Sequence, residues 1–221
     1  MVNANDIAGL FSTPVYIQQD KYSLNESEIE CIKGFTREVN LGAGAVNSVT
    51  QVSNILCKPE LKKFRNFLQQ QIDIYFHEII QVKKAQNYKF YITQSWCNYN
   101  KKNESHATHW HPNSMLSGVF IVQTDGTPLI FYKESSELFP LVLNIDRWNN
   151  HNSNNMAFET KANTLYLFPS VLRHGVGSNQ SNTERISVAF NTFVKGSFEF
   201  TNFERPWIAA RQSDGAELVL T

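Results

Sequence analysis

The stretch KFYITQSWCNYN, residues 89–100, opens a series of short strand-like segments that decides the fold of this chain. The segments are rich in β-branched and aromatic residues, and polar or Gly/Pro-containing breaks separate them. Those that follow are SMLSGVFIVQ (114–123), PLIFYKES (128–135), LFPLVLNI (138–145), NMAFET (155–160), TLYLFPS (164–170) and ERISVAFNTFV (184–194). Because no long helical pattern lies between them, they predict an all-β sandwich or barrel.

Helical patterns dominate the chain before this series. Residues 9–19 have the pattern of a short first strand, and residues 25–40 and 58–84 repeat apolar side chains every three to four positions, which predicts two helices. We therefore expect a single domain over residues 1–221. Its predicted parts are a helical support layer with a first strand (1–88), a strand-rich core (89–196) and a C-terminal extension (197–221).

The composition is that of a folded, electrically neutral protein. Lysine plus arginine equals aspartate plus glutamate at 20 each, so net charge gives no reason to expect nucleic acid or an anionic membrane as a partner. The three cysteines form no CxxC pair, which argues against a disulfide framework and suits a reducing compartment. The N-terminus lacks the pattern of a signal peptide, and no apolar run reaches the length of a membrane span. We expect a cytoplasmic protein.

The motif His109-Trp110-His111 is the first candidate for chemistry. Two histidines two positions apart on an extended segment point the same way, so one ion could contact both imidazoles. Imidazole suits zinc, copper, iron and nickel. A third histidine, His174, follows far downstream, but HxH by itself is a weak metal signal.

A second polar group lies eleven residues after His174. On the strand ERISVAFNTF, side chains alternate, so Arg185, Ser187 and Asn191 share one face while apolar residues occupy the other. An arginine on the inward face of a β core is costly unless it is paired. A bound carboxylate would satisfy it through a bidentate contact. The alternative is a salt bridge from Arg185 to a glutamate or aspartate of the protein itself.

These motifs, together with LFSTPVY and SWCNYN, resemble the iron(II)/2-oxoglutarate-dependent oxygenases, and most closely a subgroup with some phage-encoded members. The three most specific blocks are HWHPNSMLSGVF, LFPSVLRHGV and ERISVAFN, in this order and spacing. The resemblance implies a mainly β fold, the double-stranded β-helix or jelly roll, supported by N-terminal α-helices. It also implies Fe(II), with 2-oxoglutarate as cosubstrate.

Carried over residue by residue, the resemblance assigns His109, His111 and His174 to the metal. It assigns Arg185 and Ser187 to the C5 carboxylate of 2-oxoglutarate, and Tyr99 to a hydrogen bond with the same cosubstrate. Asn98 is a weaker candidate than Tyr99, because adjacent residues of a strand face opposite ways. The implied reaction hydroxylates a substrate, small or macromolecular, while 2-oxoglutarate is decarboxylated to succinate. An oligomer is possible, and a phage-encoded protein would act in the host cytoplasm.

The sequence departs from the family at His111, where the usual ligand is aspartate or glutamate. This departure leaves two alternatives open. One is a cupin-like metal-binding protein, since cupins share the jelly roll and HxH with a distal histidine, although the glutamate that follows HxH in cupins is missing. The other is a non-catalytic jelly-roll protein that binds a partner.

Overall fold

Two antiparallel β-sheets form the body of the protein in the computed structural model, which describes residues 12–42, 44–83, 88–134 and 144–196. The larger sheet has seven strands in the order β1-β9-β6-β11-β4-β3-β2, and the smaller has four in the order β5-β10-β7-β8. The strands are β1 Tyr16–Gln19, β2 Arg37–Val39, β3 Ser48–Thr50, β4 Lys89–Asn100, β5 His106–His109, β6 Leu116–Gln123, β7 Leu129–Tyr132, β8 Asn155–Phe158, β9 Thr164–Pro169, β10 His174–Val176 and β11 Arg185–Lys195.

The facing surfaces of the two sheets enclose a small apolar core. Ile121 and Phe168 of the larger sheet pack there with Leu129 and Phe131 of the smaller one. The sheets are therefore the two walls of a jelly roll, and the predicted mainly β fold is confirmed. The predicted strand at residues 138–145 and the extension at 197–221 lie wholly or almost wholly outside the described residues.

Helices cover the outer face of the larger sheet. Helix α2, Lys62–Ile74, follows a 3-10 turn at Pro59–Leu61 and continues into a π-helical turn at Tyr75–Ile79. Its buried side chains Phe64 and Leu68 join the larger core cluster, which also contains the outward-facing residues of β4 and β11. The predicted helix at 58–84 is thus present, but only Lys62–Ile74 is regular α-helix.

The predicted helix at 25–40 is only half correct. Helix α1 covers Glu26–Lys33 and begins at Asn25, which forms a capping box with Glu28. It ends at Gly34, where the backbone amide closes the last turn on Glu30. Beyond that residue the chain extends into β2, so the apolar side chains that appeared to continue the helical stripe belong partly to a strand.

The N-terminal segment contributes strands as well as helices. β1 pairs with β9 at one end of the seven-stranded sheet, while β3 pairs with β4 and carries β2 at the other end. The segment predicted to be a helical support layer therefore also supplies three strands, β1, β2 and β3, to the larger sheet. No helix in the described part of the chain is long and apolar enough to cross a membrane.

Candidate metal centre and buried arginine

Three histidines from the two ends of the strand-rich region converge at one end of the jelly roll. His109 ends β5 and lies directly opposite His174, the first residue of the neighbouring β10. His111 follows two residues later, and its backbone N–H donates to the carbonyl of Ser170 at 3.0 Å. One ring nitrogen from each histidine lies within 4.8 Å of the others. The structure thus brings together the three predicted metal ligands.

Each of these rings has its Nδ1 atom against an oxygen. The carbonyls of Ala107 and Leu172 accept from Nδ1 of His109 and His174, respectively, each at 2.9 Å. A carbonyl oxygen can only accept, so the proton of each ring lies on Nδ1 and the lone pair of Nε2 is left for a metal. Hydrogen bonds of this kind orient metal-binding histidines in proteins.

His111 is held by side chains instead. Its Nδ1 contacts Oδ1 of Asn191 and, at 3.0 Å, Oγ of Ser117. Asn191 in turn donates from Nδ2 to Oε1 of Gln94 at 3.2 Å. Sequence reasoning placed Asn191 on the same face as Arg185 but gave it no role, because a contact with His111 depends on how the strands fold around the ring.

The environment keeps the histidines uncharged. Burial lowers the pKa of His109, His111 and His174, to about 4 for His111. A fourth histidine, His106, stacks on His109 with ring centroids 4.2 Å apart. Burial, followed by the charges of its histidine neighbours, lowers its pKa to about 3. Neutral imidazole is the form that binds metal, so the cluster is ready for an ion without losing protons.

This clustering predicts that the metal-free protein loses stability in mild acid. Between the unfolded pKa of about 6.5 and the lowered folded values, the unfolded chain binds more protons, so the free energy of unfolding falls as pH falls. Denaturant titrations with a chelator at several pH values from 7 to 5 measure the slope. We expect His106→Asn to reduce the proton uptake on unfolding by about one proton near pH 5. An unchanged slope would mean that His106 is not held neutral by the fold.

Arg185 lies in the interior of the jelly roll with most of its donors unused. The side chain is fully buried at 0% exposure, and burial lowers its pKa to about 10. Its Nη1 donates to Oγ of Ser187 at 3.1 Å, whereas Nε and Nη2 have no partner among the described residues. In that part of the chain the ion pair present is Arg37–Glu184, so no acid neutralises Arg185 there. The salt-bridge alternative for Arg185 has no support among these residues.

Other buried polar atoms without partners share the inward face of the larger sheet with Arg185. Asn100 stands opposite Arg185 in the pairing of β4 with β11, and both polar atoms of its fully buried side chain lack a partner among the described residues. The same holds for the hydroxyl of Thr164 on β9. Because orphaned buried donors and acceptors are rare, their coincidence indicates a site that is complete only with a polar guest.

Of the two β4 residues predicted to contact the cosubstrate, the structure favours Asn98 over Tyr99. Tyr99 pairs with Ile186 and therefore faces away from Arg185, into the core beneath the helices. Its hydroxyl donates to the carbonyl of Ile32 at 2.6 Å. The prediction that Tyr99 contacts the cosubstrate is corrected accordingly. Asn98 pairs with Ser187 and does share the inward face, as does Asn100, which sequence reasoning missed.

A cleft of about 1290 Å³ opens at the histidines. His109 and His111 lie on one side of it, with Trp96 and the half-exposed Trp110 nearby. The charged residues among its described lining are Glu38 and Lys195, which have opposite signs. The rest of that lining is mainly amide, hydroxyl, aliphatic and aromatic. The metal face is therefore reached through a wide, largely uncharged entrance.

Comparison with known families points to the same region. Residues 94–191 match the family described as "Putative 2OG-Fe(II) oxygenase". The match contains all three histidines, Arg185 and Ser187, and it confirms the resemblance inferred from the sequence. No curated protein sequence matches the chain.

Solved structures with similar folds include a protein described as a member of the 2OG-Fe(II) oxygenase family. An oxidoreductase of the 2OG-Fe(II) oxygenase family from Burkholderia pseudomallei superposes with a TM-score of 0.54 at 13% identity, covering 80% of this chain and 83% of that one. A prolyl-4-hydroxylase from Pseudomonas putida gives 0.52 at 11% identity, covering 81% and 93%. HygX from Streptomyces hygroscopicus, solved with nickel and 2-oxoglutarate, gives 0.52 at 11% identity, covering 86% and 85%. At such low identity these likenesses establish the fold.

Proposed function

We propose that this protein is an Fe(II)- and 2-oxoglutarate-dependent oxygenase that hydroxylates a substrate with hydrogen-bonding groups, because residues 94–191 match the 2OG-Fe(II) oxygenase family. The observation that carries the proposal is the fully buried Arg185, whose guanidinium has two unpartnered nitrogens in the same β-sandwich interior as the three histidines. A buried unpaired cation is expensive, and an anionic guest removes that cost.

The donor set suits a divalent transition metal. Three neutral imidazoles present ring nitrogens within 4.8 Å of one another, and imidazole binds iron, zinc, copper and nickel. His109, His111 and His174 would hold Fe(II). With no carboxylate among them, the centre would be one charge unit more positive than the usual two-histidine, one-carboxylate arrangement, which alters both metal preference and reactivity.

The region around Arg185 suits the distal carboxylate of 2-oxoglutarate. A guanidinium presents parallel N–H donors that match the two oxygens of a carboxylate. Ser187 already contacts Nη1 of Arg185, and Asn100 and Thr164 add polar atoms that lack partners in the described structure. Arg185 would anchor the cosubstrate, and these neighbours would fix its orientation.

Fe(II) held by the histidines and 2-oxoglutarate held by Arg185 would supply the chemistry of dioxygen activation, in which oxidation of 2-oxoglutarate to succinate and CO2 would give two electrons and one oxygen atom would be inserted into a C–H bond of the substrate. The protein contributes positioning. The histidines bring one ring nitrogen each within 4.8 Å of the others, Arg185 would anchor the cosubstrate, and the apolar residues between the sheets would exclude water.

The cleft supports the proposed substrate class. Its opposite charges, Glu38 and Lys195, offer no basic surface for a polyanion. Its volume lies above the range of about 300–1,000 Å³ typical of drug-sized ligands. A substrate with hydrogen-bonding groups, recognised by amide and aromatic side chains, fits this lining. Cytoplasmic location, phage origin and an oligomeric state stay predictions.

The experiment that tests the proposal is turnover of 2-oxoglutarate. Protein loaded with Fe(II) under anaerobic conditions and then exposed to oxygen in the presence of ascorbate should form succinate from 2-oxoglutarate without added substrate. In this uncoupled reaction ascorbate supplies the two electrons that the substrate would otherwise give, and the oxygen atom that would enter the substrate leaves as water. The Arg185→Met variant should form far less. Metal binding with neither succinate formation nor 2-oxoglutarate binding would contradict the proposal and favour the cupin-like or non-catalytic alternatives.

A further inference from the structure

We propose that Gln94 and Asn191 are positioning residues that keep the imidazole proton of His111 on Nδ1 and so make its Nε2 a metal ligand. The inference rests on the metal centre in the proposed function and assigns a role to two residues outside that centre. It explains how a histidine can serve at the position where the family has an acid.

The three ligands differ in how their protons are placed. His109 and His174 each face a backbone carbonyl, which accepts and can never donate. Their Nδ1 atoms therefore carry the proton whatever the neighbouring side chains are. His111 faces the amide of Asn191 and the hydroxyl of Ser117, and both of these groups can either donate or accept. Its tautomer depends on what fixes their polarity.

Gln94 accepts a hydrogen bond that orients the amide of Asn191. Asn191 and Gln94 are directly opposite each other on β11 and β4, and Nδ2 of Asn191 donates to Oε1 of Gln94 at 3.2 Å. With the NH2 group engaged there, the oxygen of Asn191 points to His111 and requires a proton on Nδ1. A flipped amide would present NH2 to the ring and would move the proton to Nε2, where it blocks a metal.

A chain of serines gives Ser117 a matching polarity. Ser114 donates to the carbonyls of Leu116 and Thr192, and Ser170 donates to Ser114 at 2.7 Å. The single hydroxyl proton of Ser170 is thereby used, so in its 2.8 Å contact with Ser117 it accepts. Ser117 then has a lone pair for His111. Ser117 therefore donates its proton to Ser170 and accepts from Nδ1 of His111 at 3.0 Å.

Burial prevents these hydrogen bonds from reversing their direction. Ser117 and Ser170 are fully buried, and Asn191 and His111 are 7% and 8% exposed. A reversed hydrogen bond would leave a donor facing a donor or an acceptor facing an acceptor, with little access of water to compensate. Gln94, by contrast, lies at the exposed end of the network and lines the cleft, so it can be changed without disturbing the core.

The test reads the tautomers directly in metal-free protein. Long-range proton–nitrogen NMR of the imidazole rings distinguishes Nδ1–H from Nε2–H. In the natural protein all three ligand histidines should be Nδ1–H. In Gln94→Leu, His111 should become a mixture while His109 and His174 stay unchanged as internal controls. Gln94→Glu keeps an acceptor for Asn191 and should keep the natural tautomer.

Metal affinity is the second measurement that tests the proposal. Losing an outer hydrogen-bond partner of a metal-binding histidine typically costs about 10- to 100-fold in affinity. We expect Gln94→Leu to weaken Co(II) binding, measured by calorimetry, by about tenfold. The double variant Gln94→Leu/Asn191→Asp should recover it, because a carboxylate presents an oxygen to His111 in either orientation.

Two results would overturn the inference. One is an Nε2–H tautomer of His111 in the natural protein, and the other is a Gln94→Leu variant with both tautomer and Co(II) affinity unchanged. Neither measurement uses turnover. Absence of succinate formation with the expected tautomers would therefore reject the proposed oxygenase and leave the role of Gln94 and Asn191 standing.

Discussion

Replacing Arg185 with methionine is expected to weaken 2-oxoglutarate binding by about 30-fold to several-thousand-fold. Truncating one partner of a buried, hydrogen-bonded charge pair costs roughly 2–5 kcal/mol, and about 1.4 kcal/mol corresponds to tenfold. Methionine retains much of the volume and removes the donors. Calorimetric titration of 2-oxoglutarate into the metal-loaded protein measures the change.

The same substitution should stabilise the protein when no cosubstrate is present. Arg185 is fully buried and two of its nitrogens lack partners in the described structure, so its charge opposes folding of the empty form. Replacing buried ionic groups with apolar residues of similar volume can raise the free energy of unfolding by about 1–4 kcal/mol. A rise in denaturation midpoint together with lost binding is the expected pair of results.

Arg173→Met is the matched control. Arg173 directly precedes His174 in sequence, but its side chain is exposed, so removing it should alter neither 2-oxoglutarate affinity nor stability appreciably. A marked loss of stability in Arg185→Met with cosubstrate affinity intact would instead identify Arg185 as a structural residue with an internal partner.

Replacing His111 with alanine is expected to weaken binding of Co(II) or Fe(II) by more than about 100-fold, since the loss of an outer partner alone costs about 10- to 100-fold. The variant loses one of three neutral donors and leaves Asn191 without its contact. Anaerobic titration of metal into chelator-treated protein gives the affinity. His106→Ala removes a neighbouring imidazole outside the ligand cluster and should change affinity only a few-fold. Equal losses in both variants would contradict a special role for His111.

Replacing His111 with aspartate, a residue usual in the family at this position, is not expected to restore the usual metal site. The network around this position presents the oxygen of Asn191 to an N–H donor, and Gln94 holds it in that direction. A carboxylate there would face that oxygen directly, and two acceptors repel. We therefore expect the single change to bind metal poorly. Recovery should require an amide that is free to turn, as in His111→Asp/Gln94→Leu.

Much of the site could be predicted from local alternation. The strand period of two placed Arg185, Ser187 and Asn191 on one face, and the register with β4 and β6 confirms that face. The histidines could be grouped because the motif spacing resembles a known family. The first argument uses a short-range pattern, whereas the second uses a resemblance between motifs that are far apart in sequence.

The features that could not be predicted depend on the register with which strands pair. Whether Asn98 or Tyr99 faces Arg185 is set by the register of β4 against β11, a property that neither strand carries alone. The contact of Asn191 with His111 joins residues 80 positions apart. The error after Lys33 was of another kind, because Gly34 was a visible helix stop whose signal the continuing apolar pattern outweighed.

The placement of the N-terminal strands has a consequence for how the chain folds. Tyr16 pairs with Leu167, and the residues that border β3 belong to β4, so both outer strands of the main sheet emerge from the ribosome before their partners. Pairings between such distant residues raise contact order and slow folding. They also cover β9 and β4, and a chain shortened to residues 94–191 would leave these two longer strands as the edges of the sheet, open to aggregation. The N-terminal strands β1 and β3 therefore protect the two strands, β9 and β4, that the second half of the chain would otherwise leave at the edges.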